Sequence, residues 1–234
     1  MTRLLMATDP GTPGWPNEDF ACAAPGAAVL LDGCTTVPRD RDIGCCHGVA
    51  WYARTLGSYL LAAITAEPAI PLAEGLARAI IQVRARHEHA CDLSNRATPA
   101  ATVTAVRAEP DGVSYLALSD SSVVADYADG RPPRLITDPH RAAGADPAAA
   151  ATATTGILPL AGLRGVALFS DGATRITDLY HALTWPAVVE IVREQGPGEI
   201  IGQVRAAEDA DPDGRRWPRG KLRDDATIVY WRLR

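Results

Sequence analysis

Short apolar runs separated by glycine, proline and asparagine open the chain, and Arg3 to Thr8, Ala21 to Ala24 and Ala27 to Asp32 read as strands joined by turns. From Gly48 to about Thr65, apolar positions recur every three or four residues among many alanines, which predicts an amphipathic helix. A second helix is predicted from Leu72 to about Cys91, with Pro68 and Pro71 breaking the two apart. Strand patterning returns at Ala101 to Arg107, Val113 to Ser119, Ser121 to Tyr127 and Arg134 to Thr137. Pro110-Asp111-Gly112 and Asp129-Gly130 supply hairpin turns, so these four strands are expected to form one antiparallel meander.

Ala142 to Thr155 is almost all small residues, and a weak helix and a mobile connection both stay open there. Gly165 to Ser170 reads as a buried strand, Pro186 to Glu194 and Gly198 to Glu208 as helices, and Ala226 to Leu233 as a closing strand. Strands, helices, strands, helices and a last strand make an α+β order, suited to antiparallel sheets packed together with helices outside. One domain over residues 1–234 is expected.

Composition narrows the function. A chain of 234 residues with 47% hydrophobic and 22% charged content can bury a sizeable core. Its net charge of −5 argues against general affinity for nucleic acid, and an anionic substrate would need locally placed cations. No apolar run approaches the roughly 18 to 20 residues that span a bilayer, and Arg3 to Ala7 is too short for a signal-peptide core. A cytoplasmic protein without a membrane partner is therefore expected. Cys22, Cys34, Cys45, Cys46 and Cys91 include no C-x-x-C pair, which suggests reduced, mostly buried thiols rather than a disulfide framework or zinc ribbon. Of His87, His89 and Cys91, only positions 87 and 91 share a helical face, so those three alone do not form a zinc site.

The informative feature is the placement of acids at strand ends. Glu18 and Asp19 precede one strand, Asp32 ends another, Asp171 follows the buried strand, and Asp224 and Asp225 precede the last. A single Asp-Gly is a turn signal. Its recurrence after apolar runs, as Asp32-Gly33 and Asp171-Gly172, points instead to carboxylates held on rigid strands, with glycine admitting close backbone approach. Oxygen-only ligands of this kind suit Mg²⁺ or Mn²⁺.

Taken in order, N-E-D-F at 17–20, L-L-D-G at 30–33, L-A-L-S-D-S-S-V-V at 116–124, L-F-S-D-G at 168–172 and D-D-A-T-I-V at 224–229 resemble the metal-dependent protein serine/threonine phosphatases of the 2C type. The resemblance implies a four-layer α-β-β-α sandwich, with two packed antiparallel sheets flanked by helices. It also implies two Mn²⁺ or Mg²⁺ ions per site and hydrolysis of phosphoserine and phosphothreonine by a metal-activated water. Asp32 would bridge both metals, Gly33 would offer its carbonyl, Asp171 and Asp224 would complete one metal, and Glu18 and Asp19 would serve the second, directly or through water. Two alternatives stay open: a phosphatase-like regulatory module that binds metal with little or no turnover, and a phosphatase of small phosphorylated metabolites.

Several positions depart from the family's pattern. The turn after the bridging Asp-Gly is replaced by Cys34 and a polar insertion reaching Gly44, so His47 becomes the candidate for a displaced catalytic histidine. It would hydrogen-bond a metal-held water or protonate the leaving alcohol, or else cap the helix starting near Gly48. The family's phosphate-clamping arginine falls on Gly14. Among the basic residues before Asp224, Arg219, Lys221 and Arg223 are candidates to replace it, against a plain solvated loop. Asp120 matches a possible third-metal ligand, but Arg175 stands where its acidic partner would be.

Overall fold

The computed structural model describes residues 3–34, 43–139 and 142–233, which leaves most of the insertion after Cys34 outside the described residues. In chain order the elements are β1 (Arg3–Asp9), β2 (Asp19–Ala24), β3 (Ala27–Cys34), α1 (Val49–Ala66), α2 (Leu72–His87), β4 (Ala100–Glu109), β5 (Gly112–Leu118), β6 (Ser122–Tyr127) and β7 (Arg134–Ile136). There follow a 3₁₀ turn at Pro147–Thr152, β8 (Thr154–Pro159), β9 (Leu163–Phe169), α3 (Asp171–Asp178), α4 (Trp185–Glu194), α5 (Pro197–Asp209) and β10 (Ala226–Arg232).

Two five-stranded sheets result, one ordered β1-β10-β9-β6-β7 and the other β2-β3-β4-β5-β8. Every strand pairing in both is antiparallel. Because successive strand residues face opposite sides, β3 serves two cores at once. Leu30 packs with Val106, Leu168 and Val229 between the sheets, while its neighbour Leu31 packs with Leu56, Leu76 and Leu116 beneath α1 and α2. A third apolar layer, with Phe169, Val188, Ile200 and Ile228, joins the first sheet to α3, α4 and α5. Three apolar layers between four structural layers give the expected α-β-β-α sandwich.

Five details differ from the sequence-based expectation. The strands from Ala101 to Thr137 do not form one meander: β4 and β5 belong to one sheet, β6 and β7 to the other. The chain changes sheets through Ser119, whose φ of 71° is left-handed and whose N–H and carbonyl are held by the Asp138 carboxylate and backbone. The small-residue stretch ends in a strand, β8, paired on the edge of β5. An unexpected helix, α3, begins at Asp171, and α2 ends at His87 rather than near Cys91. The thiols are not mostly buried, since Cys46 is exposed and the other four are half-buried. Among the described residues, no helix is long and apolar enough to cross a membrane.

Candidate active site

One end of the sandwich gathers the acids because the strands that carry them end there. Asp19 and Asp32 are direct partners across β2 and β3, so their side chains share one face of the sheet. Like charges placed opposite one another are unfavourable unless something compensates. Asp171 starts α3 immediately after β9, and Asp224 lies just before β10. Ser170 ties these two ends together, donating its N–H to the Thr227 carbonyl at 3.0 Å and accepting the Thr227 N–H on its hydroxyl at 2.9 Å.

Glycine makes the close approach possible. A Cβ on Gly33 would sit 2.6 Å from Val49 Cγ1 and 2.8 Å from the Glu18 carbonyl oxygen, which accepts the Gly33 N–H at 3.0 Å. A Cβ on Gly172 would collide with the backbone carbonyl of Asp225. Asp225 itself faces away from this role: its two oxygens accept the N–H groups of Gly11, at 2.8 Å, and Glu18, at 2.7 Å. It therefore latches the Glu18 segment onto the end of β10. Sequence reading assigned it no function, although the Asp-Asp doublet was visible.

The electrostatics show a strained anionic set. Asp19 is buried and neither of its carboxylate oxygens has a hydrogen-bond partner. Burial pushes its pKa up to about 7, with Asp225 and Asp171 adding to the rise and the nearby Thr227 and Ser170 hydroxyls, hydrogen-bonded instead to Thr8 and to the Thr227 N–H, offsetting part of it. Burial, then the charges of Asp19, Asp171 and Asp224, holds Asp32 well above the usual carboxylate range. Asp171 is raised by burial and by Asp224 and Asp120. Asp224 is different, because Arg175 Nη2 meets one of its oxygens at 2.8 Å and Lys221 Nζ the other at 2.7 Å.

This donor set fits divalent metal. Buried carboxylates that raise one another's pKa, one of them with no hydrogen-bond partner, are relieved by a cation, and oxygen ligands match Mg²⁺ or Mn²⁺. Arg175, noted in the sequence only as a missing acid, proves to be a counter-charge to Asp224, and it also meets Glu208 at 3.3 Å. The charge of Asp120 reaches Asp171 and Cys34 from the crossover between the sheets.

Three candidates need correction. His47 neither caps α1, whose N-cap Gly48 receives no side-chain bond, nor turns its Nδ1 to the acids. Its ring stacks on Trp51 at 4.2 Å, and Nδ1 lies 3.4 Å from Cys91 Sγ. Arg219 is not a free phosphate clamp, because its guanidinium is buried on the Asp211 carboxylate and on the carbonyls of Asp211, Trp217 and Leu222. Arg223 pairs with Asp209 beside a separate cavity of about 250 Å³ that holds none of the clustered acids. Lys221 alone of the three candidates reaches the acidic end.

Solved structures share this fold. Stp1, a serine/threonine phosphatase from Staphylococcus aureus, superposes with a TM-score of 0.70 at 14% identity, covering 100% of this chain and 96% of its own. The catalytic domain of the serine/threonine protein phosphatase PstP, solved with two manganese ions, gives 0.67 at 15% identity, covering 99% and 97%. MsPP, a Ser-Thr phosphatase from Mycobacterium smegmatis solved with cacodylate, gives 0.64 at 19% identity, covering 99% and 98%. At such identities the likeness establishes the fold. No curated protein matches the chain by sequence. The family model described as protein phosphatase 2C matches residues 14–199, well over half of the chain, and the protein therefore belongs to the protein phosphatase 2C family.

Proposed function

We propose that the protein hydrolyses phosphoserine and phosphothreonine in phosphorylated proteins, at a centre built to hold two Mn²⁺ or Mg²⁺ ions. The observation that carries this reading is the Asp19 carboxylate, buried and unpartnered directly across the sheet from Asp32. Asp32, Asp171 and Asp224, with the Gly33 carbonyl, would hold one ion, and Glu18 and Asp19 would serve the second, with Asp32 shared. When bound, such ions supply Lewis acidity for transfer of a phosphoryl group to water.

The chain's own residues set the remaining conditions. Rigid strand ends fix Asp19 and Asp32, and the Asp225 latch fixes the Glu18 backbone, so the ligands are arranged before any ion arrives. Lys221, with about half its side chain exposed, is placed to trade Asp224 for the substrate phosphate once the carboxylate is otherwise engaged. A lysine supplies a point charge rather than the two-pronged contact of an arginine, so weak substrate binding is expected.

A reading with little turnover draws on Gly14, which is exposed with nothing within 4 Å of a would-be Cβ, and on the two cations already seated on Asp224. Phosphate release, with and without Mn²⁺, from phosphopeptides and small phosphate esters, for the native protein and Asp171→Asn, separates the readings. Mn²⁺-dependent release from phosphopeptides that the substitution abolishes supports the proposal. Metal binding without release favours the regulatory reading, and equal activity in both proteins overturns the site.

A further inference from the structure

A second group of metal-binding side chains lies away from the carboxylates, where the segment before α1 meets the end of α2. Cys45 and His47 come from the first, and His87 and Cys91 from the second. Their donor atoms all lie within 4.8 Å of one another. Cys45 Sγ is 3.3 Å from Cys91 Sγ, 3.7 Å from His87 Nδ1 and 3.9 Å from His47 Nδ1, and Cys91 Sγ is 3.4 Å from His47 Nδ1. A tetrahedral zinc with bonds of about 2.3 Å to sulfur and about 2.0–2.1 Å to nitrogen spaces its ligands about 3.3–3.8 Å apart. These four distances fall on or close to that range.

We infer that Cys45, His47, His87 and Cys91 form a structural zinc site, independent of the carboxylate centre. Two thiols and two imidazoles in a closed tetrahedral set match zinc, whereas the hard oxygens at the acidic end match Mg²⁺ or Mn²⁺. On binding, each thiol releases its proton and the imidazoles bind as neutral rings.

The surroundings hold the set in place without a metal. Asp92 donates its N–H to the Gly44 carbonyl at 2.7 Å, fastening the two segments beside the cluster. Cys91 donates its N–H to the His87 carbonyl at 2.9 Å, which continues the turn of α2 and puts the two side chains on one face. His47 is clamped by its stack on Trp51, and His87 is fully buried with its Nδ1 turned to Cys45 Sγ. Cys46 is the odd thiol, exposed, with Sγ 3.5 Å from His47 Nδ1 and 3.8 Å from Cys91 Sγ, and it is left on the rim. His47 also lines a cavity of about 210 Å³ with Trp15, Glu18 and Val49, so the ion would brace a wall that adjoins the acidic end.

The test measures metal content in the full, untagged chain purified under reducing conditions from zinc-supplemented medium. About one zinc per chain is expected in the native protein, in Cys46→Ser and in Asp32→Asn, and near none in Cys45→Ser or Cys91→Ser. Because those last two variants risk misfolding, Co²⁺ is also titrated into the metal-free native protein and His47→Cys. Tetrahedral cobalt bands with a thiolate charge-transfer band are expected, the latter about half as strong again with three thiolates in place of two. Substoichiometric zinc in the native protein, loss of zinc in Asp32→Asn, octahedral cobalt spectra, or a Cys45–Cys91 disulfide in place of metal would each overturn the inference.

Discussion

At the acidic end, the carboxylates of Asp19 and Asp32 are buried and that of Asp171 is half-buried beside them, and their pKa values rise as a result. At the corner of α1 and α2, two thiols and two imidazoles pack together with no carboxylate among them. Both regions preorganise donor atoms, but with different consequences for the metal-free fold. The first is destabilised by its own acids, because burial makes their ionised forms costly. The second holds no carboxylate, and its thiols would give up their protons only on binding metal. Chemical hardness then separates the ions each would select, oxygen donors against nitrogen and sulfur.

The sharpest way to break this contrast is Asp32→Asn. Removing the carboxylate that two ions would share is expected to cut phosphatase activity on the order of 10²–10³-fold or more, since metal contributions to such transition states amount to several kcal/mol. The same change removes like-charge repulsion from a buried set, so the metal-free protein should melt at a higher temperature than native. Activity and calorimetry on one sample check both. An unchanged or lowered melting temperature in Mn²⁺-free buffer would mean that the acidic end carries no such strain.

Gly172→Ala addresses the geometry rather than the charge. Its Cβ would run into the Asp225 carbonyl, which belongs to rigid backbone and cannot swing aside. Overpacking of this kind costs about 1–3 kcal/mol, and moving Asp225 would also disturb its bonds to Gly11 and Glu18. Loss of several degrees of melting temperature together with weakened Mn²⁺ binding is expected, with zinc content at the corner unchanged. Denaturation curves and metal titration read these separately.

How much of this was legible in sequence follows from what each residue depends on. Asp32-Gly33 and Asp171-Gly172 could be read because each follows an apolar run, and that local pattern fixes both the strand and the end on which the acid stands. Strand β8 could not, since it pairs at a sheet edge with an alternating, half-exposed face and only Leu158 fully buried among its residues. Helix α3 was hidden because Asp-Gly reads as a turn, although here it opens a helix after Ser170, whose hydroxyl bonds Thr227 rather than the helix. At the corner, the helical spacing of His87 and Cys91 was visible, but only the packing of α1 on α2 brings Cys45 and His47 to them. The basic run shows the same limit: Arg219 and Lys221 differ by two positions, and the fold around Asp211 decides which guanidinium is consumed and which ammonium reaches the site.

Lys221→Gln sharpens the electrostatic side of the comparison with a smaller effect. Without its ammonium, Asp224 keeps Arg175 alone, so competition with metal falls and Mn²⁺ should bind a few-fold more tightly. If Lys221 also meets the phosphate, KM for a phosphopeptide should rise several-fold while kcat changes less. Tighter Mn²⁺ with an unaltered KM would leave Lys221 as a counter-ion only.

The mildest effect is the pH dependence of the metal-free protein. Asp19 has its folded pKa raised from 3.8 to about 7, so between those values the folded chain retains a proton that the unfolded chain has released. That contribution to stability is fully present below about pH 4 and is lost as pH rises through about 7, the reverse of the usual carboxylate trend. Divalent metal binds the ionised form, so Mn²⁺ should stabilise most strongly at the upper end of that range. Melting temperatures at about pH 5 and about pH 7.5, for native protein and Asp19→Asn, report chiefly on this group, because burial, the largest cause for Asp32 and Asp171, keeps both raised in either protein. The samples are best freed of Mn²⁺ and Mg²⁺ by dialysis rather than by a strong chelator, which would also strip a zinc ion held by Cys45 and Cys91 and add the corner's stability to the difference. Native protein should lose more stability than the variant across this interval. Parallel behaviour of the two would show that Asp19 is already ionised in the fold, and that the acidic end, like the corner, holds its donors without strain.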